Sequence, residues 1–218
     1  MTRKRSPAGL VHSTVRILVD GEEVLTREGD TTGNDAEHLL DTDALVPQAT
    51  PRRIAFYGCG CGEFGCHCVA GLVSESDGLV RWHDFRTVTG VYHCALPPAG
   101  VEADALGDPD IDWDLLDLPD LAFDAADYHR AFDAARTDRS WESRPRVIVR
   151  LVRDRARDVQ VWAAARDDVI TVQHRGRAML GSTDLPVPDG PVEPLADALL
   201  RLLAQHDPRE IAACSLWR

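Results

Sequence analysis

The sequence predicts an α+β fold, an antiparallel β-meander of hairpins packed by three or four helices. Three observations carry this. Short apolar runs bounded by turn residues recur through the first half of the chain. Asp20-Gly21 supplies the positive φ angles of a tight hairpin turn. Pro194–Gln205 repeats leucine at helical spacing, with Leu195, Leu199, Leu202 and Leu203 on one side.

In order along the chain, residues 1–10 read as a disordered tail and 11–218 as one α+β domain, with 138–144 the stretch where a seam would fall. Val15–Val19 and Glu22–Thr26 form the first hairpin. Residues 28–50 are polar and turn-rich, with a short helix over Asp35–Asp41. Strands follow at Arg53–Tyr57, Val69–Val73, Leu79–His83 and Thr87–His93, with a turn at Ser74–Gly78. Glu102–Asp127 holds ten carboxylates and no Lys or Arg, and with Pro109 and Pro119 its first part reads as a surface loop. Phe123-Asp124 then opens a helix that runs to about Arg136, with Asp124 near the N-terminus favouring the dipole. Ser140 caps a second helix, from Trp141 to Ala156, with Pro145 in its opening turns. Val159–Ala164 and Val169–Gln173 form a late hairpin, and a final helical piece follows Asp207-Pro208.

Composition bounds the function. Hydrophobic residues at 44% and charged residues at 28% exclude wholesale disorder. A formal charge of −12 argues against a nucleic-acid partner, whose phosphates would need neutralising. No apolar run reaches the ~18 residues of a membrane span. The basic opening Met1–Pro7 has no apolar segment after it, so no secretory signal is expected and a cytoplasmic location follows. Thiols stay reduced there, and clustered cysteines more often bind metal than form disulfides.

Four of the six cysteines fall within ten residues, in Tyr57-Gly-Cys59-Gly-Cys61-Gly-Glu-Phe-Gly-Cys66-His-Cys68. If Gly62–Gly65 is a hairpin tip, Cys61 faces Cys66 and Cys59 faces Cys68, so all four thiols share one face. Cys59, Cys61, Cys66 and Cys68 then form a candidate tetrahedral zinc site of structural type, because four local thiolates close the coordination sphere. Four thiolates leave about −2 on the site, which Arg52, Arg53, Arg81 and Arg86 could offset. His67, His83, His93 and Cys94 are alternative fourth ligands. A disulfide or a set of free thiols competes with the metal reading.

The string CxCGxxxC resembles the zinc-binding tail that follows many SET methyltransferase domains, where three cysteines of this spacing join a fourth from elsewhere. The likeness covers Cys59–Cys66 only. The SET cofactor and asparagine–histidine motifs are missing, so methyl transfer is not implied. A broader stretch, Cys59-Gly-Cys61-Gly-Glu63 with Gly65-Cys66, Trp82-His-Asp-Phe-Arg86, and Phe123-Asp124 with Tyr128, resembles a family of bacterial, largely actinobacterial proteins. That resemblance implies no activity.

Other motifs have modest readings. His83 with Asp84 could form a general base, but strand neighbours point to opposite faces, and Asp84 paired with an arginine is the plainer outcome. Asp84 and Arg86 share a face and could clamp a polar ligand. Asp108–Asp114 imitates the start of a calcium loop, yet positions six and twelve are Trp113 and Pro119. Cys214 reads as a buried thiol, and Phe64 as a ring folded over the sulfurs or an interface anchor.

Two functions follow as expectations. The first is a zinc-binding accessory module that meets a protein partner or a second copy of itself. The second is a thiol-dependent enzyme or redox protein using Cys66 or Cys68, activated by His67 and nearby arginines.

Overall fold

The computed structural model describes residues 2–5, 11–25, 31–59, 67–89, 112–156, 159–163, 168–175, 180–211, 214 and 217. The chain divides into two compact units, one built on Ser13–Arg139 and the other on Ser140–Arg218. The fold is α+β, with antiparallel hairpins and helices in both. Strands β1 (Thr2–Arg5) and β2 (Val11–Thr14) pair with each other.

In the first unit β3 (Leu18–Val19) and β4 (Glu22–Glu23) close on Asp20 and Gly21, at φ 52° and 85°. These are the left-handed angles that a two-residue hairpin requires. β5 (Thr31–Gly33) precedes α1 (Ala36–Leu40), whose N-cap Asp35 accepts from Glu37 N at 2.9 Å. β6 (Arg52–Cys59), β7 (Cys68–Ser76) and β8 (Leu79–Thr89) form the meander, and β7 is its centre. The turn between β7 and β8 again uses an Asp-Gly pair, Asp77 at φ 52° and Gly78 at φ 72°. The outer edge of β8 is shared by β9 (Asp112–Leu115), against Arg86–Thr89, and β10 (Leu121–Asp124), against Leu79–Trp82. β5 lies on the far side of β6.

Two expectations change here. β8 is one continuous strand instead of two short ones, because a bulge absorbs the irregular residue Asp84 at φ 47°. The acidic stretch contains two edge strands where a loop was expected. Asp112 and Asp114 alternate with Trp113 and Leu115, a period-two pattern, and charged edge strands resist further pairing.

Bulges flank β7 on both sides. Phe56 is the extra residue on β6, and Asp84 with Phe85 oppose Gly71 alone on β8. The Phe56 and Phe85 rings fill the space this creates, at 6.1 Å between centroids, and Phe56 also stacks on Trp82 at 4.5 Å. A Cβ on Gly71 would lie 2.8 Å from Phe85 Cδ1 and 3.1 Å from Phe56 Cε2. Gly71→Ala is therefore expected to destabilise by about 2 kcal/mol through overpacking. Chemical denaturation checks this, and Phe85→Leu in the same chain should restore part of the loss.

α2 (Ala125–Thr137) starts where expected, its N-cap Asp124 accepting from Asp127 N at 3.0 Å. Its Tyr128 meets Trp82 edge-on, accepts from Trp82 Nε1 at 3.2 Å, and donates to Leu45 O at 2.7 Å. Burial pushes the Tyr128 phenol up to about 12, against the Trp82 hydrogen bond, so it stays a donor at neutral pH.

The second unit packs α3 (Arg144–Arg155) and α4 (Val192–Gln205) on a three-stranded sheet, β11 (Val161–Ala163), β12 (Val169–Arg175) and β13 (Leu180–Pro186), with α5 (Pro208–Ile211) after them. Ile148, Val149 and Val152 meet Leu199 and Leu202 over Val161, Ile170, Val172 and Leu185, each side chain contributing about 1.5–3 kcal/mol by burial. Trp217 donates Nε1 to Pro186 O at 2.8 Å. α3 begins at Arg144 behind Ser143, later than the expected Trp141. In a helix begun at Trp141, Pro145 would have to donate a backbone hydrogen bond, and it has no N–H. β13 had no expectation at all. Its sequence, Leu-Gly-Ser-Thr-Asp-Leu-Pro, carries little apolar alternation.

Candidate metal centre

The cysteine loop joins β6 to β7, so its two ends sit on adjacent antiparallel strands. Gly58 pairs with Cys68, and Cys68 pairs on its other side with Val88. Val88 pairs with Trp113. The next rung outward holds Thr31 paired with Cys59, and Thr89 paired with Asp112. His67 precedes Cys68, and its Nδ1 lies 3.5 Å from Thr89 Oγ1, long for a hydrogen bond. One end of the six-stranded sheet thus gathers Thr31, Cys59, His67, Thr89 and Asp112 on successive strands.

This register corrects an expectation. Cys68 stands opposite Gly58, not opposite Cys59. Without the extra residue Phe56, the pairing set by Arg52–Ala55 would put Cys68 opposite Tyr57, and the bulge shifts it by one position, which stops one short of Cys59. Cys68 is 2% exposed.

The remaining predicted ligands divide plainly. Cys61, Cys66, His93 and Cys94 lie outside the described residues, as do Glu63, Phe64 and the Asp108–Ile111 part of the acidic motif. His83 is on β8 with Nε2 3.2 Å from Ser74 Oγ. Among the described residues, no three of His, Cys, Asp and Glu converge as a metal site would need. Cys214 packs, half-buried, against the core of the second unit.

The arginines expected to balance the thiolates have other partners. Arg53, with a side chain 4% exposed, donates Nη2 to Asp84 Oδ2 and Nη1 to Asp84 O at 2.5 Å. Arg86 Nε donates to Asp84 Oδ1 at 3.0 Å. Arg81 holds Ser76 Oγ at 2.8 Å, and Arg52 holds Asp43 O at 2.7 Å. Burial works to raise the Asp84 carboxyl, but the hydrogen bonds and charges of Arg53 and then Arg86 outweigh it, and the pKa is lowered. Asp84 is thus the anion that neutralises a buried guanidinium, and His83 turns to Ser74 instead of forming a base with it. Sequence spacing cannot find this cluster, because Arg53 and Asp84 lie on β6 and β8, with β7 between them.

A second polar knot fixes the first hairpin. Ile17 N donates to the Tyr57 hydroxyl at 3.0 Å, and Tyr57 donates to Glu23 Oε1 at 3.3 Å. Glu23 also takes two bonds from Arg16, at 3.2 and 3.1 Å. These contacts tie a short hairpin to the sheet and offer no open chemistry.

Among the described residues, no helix is long and apolar enough to cross a membrane. Comparison of the chain with protein-family models, with curated proteins and with solved structures finds no match in any of the three.

Proposed function

We propose that this chain is a zinc-binding protein whose metal is structural, held by the loop that runs from Cys59 to Cys68, and that it serves as a binding or accessory module. The observation that supports this is the placement of Cys59 and Cys68 at adjacent strand ends, on either side of a short segment carrying Cys61 and Cys66. A Gly-rich connection of this kind gains order from metal, since metal binding free energy is then folding free energy. A reducing, cytoplasmic setting keeps the thiols available as ligands. The same reading groups the chain with the bacterial family that shares its CxCGxxGC cluster. A protein partner or a second copy of the chain is its natural counterpart, and a charge of −12 disfavours nucleic acid.

The alternative, a thiol-dependent enzyme or redox protein using Cys66 or Cys68, has less behind it. Cys68 is 2% exposed, and a nucleophile must be reached by its substrate. Elemental analysis of the purified chain tests the zinc reading. About one zinc per chain is expected, with loss of that zinc in Cys61→Ser/Cys66→Ser. Folded, metal-free wild-type protein would sink it.

A further inference from the structure

We propose that one face of the central meander holds a binding site for a small oxyanion, a phosphate or a carboxylate, built on Arg86 and His83. The site uses no cysteine and stands apart from the zinc reading.

Register assembles it. Residues three apart on a regular strand point to opposite faces. In β8, however, Asp84 and Phe85 together oppose Gly71, so His83 pairs with Leu72 and Arg86 with Ala70. Leu72 and Ala70 share a face of β7, and His83 and Arg86 therefore share it too. Arg81, opposite Ser74, continues the same column, and Arg53 of β6 joins it across Leu72. On these rungs three guanidiniums meet one carboxylate, that of Asp84, in a chain whose formal charge is −12. The aspartates of β9 pair with Thr87 and Thr89, on the opposite face.

The ion pairs leave donors over. Asp84 accepts from Arg53 with one carboxylate oxygen and from Arg86 Nε with the other. Among the described residues neither Nη group of Arg86 has a partner, and its side chain is 30% exposed. A guanidinium held at Nε still presents its Nη groups, whose planar geometry suits an oxyanion. His83 Nε2 meets Ser74 Oγ at 3.2 Å, and with that hydroxyl donating, Nδ1 carries the proton as a further donor. Partial burial strengthens the attraction over that at an open surface. Asp84 positions Arg86 from φ 47°, a left-handed angle in mid-strand, and backbone strain of this kind clusters at ligand sites.

The intact chain is titrated with inorganic phosphate, and separately with succinate, at constant ionic strength, while NMR follows the side-chain resonances of Arg86 and His83. Saturable shifts are expected with at least one anion, and the one bound more tightly tells a phosphate ligand from a carboxylate. Arg86→Gln should weaken that binding by about 10-fold or more, the loss of hydrogen bonds between charged groups. Arg130→Gln, which removes an exposed pair with Asp127 on α2, should leave it unchanged. Arg86→Lys keeps a charge beside Asp84 but gives up the planar donors, and should lose affinity as well. That variant decides the matter if Arg86→Gln does not fold. Shifts that saturate with neither anion, or binding of unchanged strength in folded Arg86→Lys, overturn the proposal.

Discussion

Replacing Asp84 by alanine is expected to cost about 3–5 kcal/mol of stability, the penalty for taking one partner from a buried ion pair. The guanidinium of Arg53 is only 4% exposed, and Asp84 gives it both a carboxylate oxygen and a backbone carbonyl. Alanine also inherits φ 47°, which adds about 1 kcal/mol of left-handed strain. Asp84→Asn tolerates that angle better and isolates the charge contribution. Arg53→Met combined with Asp84→Gly should recover part of the loss, because no buried cation then needs an anion. Urea unfolding measures each variant, and a loss below about 1 kcal/mol for Asp84→Ala would show that water reaches Arg53. The pH dependence has a definite sign. The folded carboxyl titrates below its usual 3.8, so its contribution is present above that value and is lost as pH falls through the lowered folded pKa. Wild type and Asp84→Asn should converge in acid.

Gly33→Ala is expected to be of similar severity, about 4 kcal/mol, with a fall in Tm of about 10 °C. A Cβ there would overlap the backbone carbonyl of Val15. A side chain could rotate aside, but a backbone carbonyl moves only with its strand. Val15 N donates to Asn34 O at 2.9 Å, and Asn34 N donates to Phe56 O at 3.0 Å, so displacement breaks a relay of three segments. Gly21→Ala is the control. Gly21 has φ 85° and open space around it, and its replacement should cost about 1 kcal/mol. Calorimetry of the two variants compares them, and an equal, small effect would mean that the Val15 segment can step away.

Local signals in the sequence reached the elements they govern. Asp20-Gly21 made its hairpin, Asp35 and Asp124 capped their helices, and the leucine stripe gave α4. What stayed hidden depends on distant partners. Phe56 looks like any strand residue, yet as a bulge it sets the register by which Cys68 meets Gly58. An arginine partner for Asp84 was the expected outcome, but not that it would be the buried Arg53 of β6, two strands away. β9 was hidden by its carboxylates, because solubility at a sheet edge and loop composition use the same residues, and β10 was hidden because Phe123-Asp124 reads as the start of the helix that follows it. Of the clustered cysteines, Cys59 and Cys68 are among the described residues, and their offset by one rung was not legible.

The order of the three central strands bears on how the chain is made. β6, β7 and β8 are neighbours both in sequence and in the sheet, so each pairing closes only a short loop at small entropic cost. Both partners of β7 have been synthesised once Thr89 has left the ribosome. Domains form from the N-terminal side during synthesis, and this meander has its full complement of strands before the acidic stretch or the second unit exists. β9 and β10 then arrive at an edge of β8 already held in place by β7. The β6–β7–β8 pairing can therefore form on the nascent chain, with more than half of the protein still to be translated.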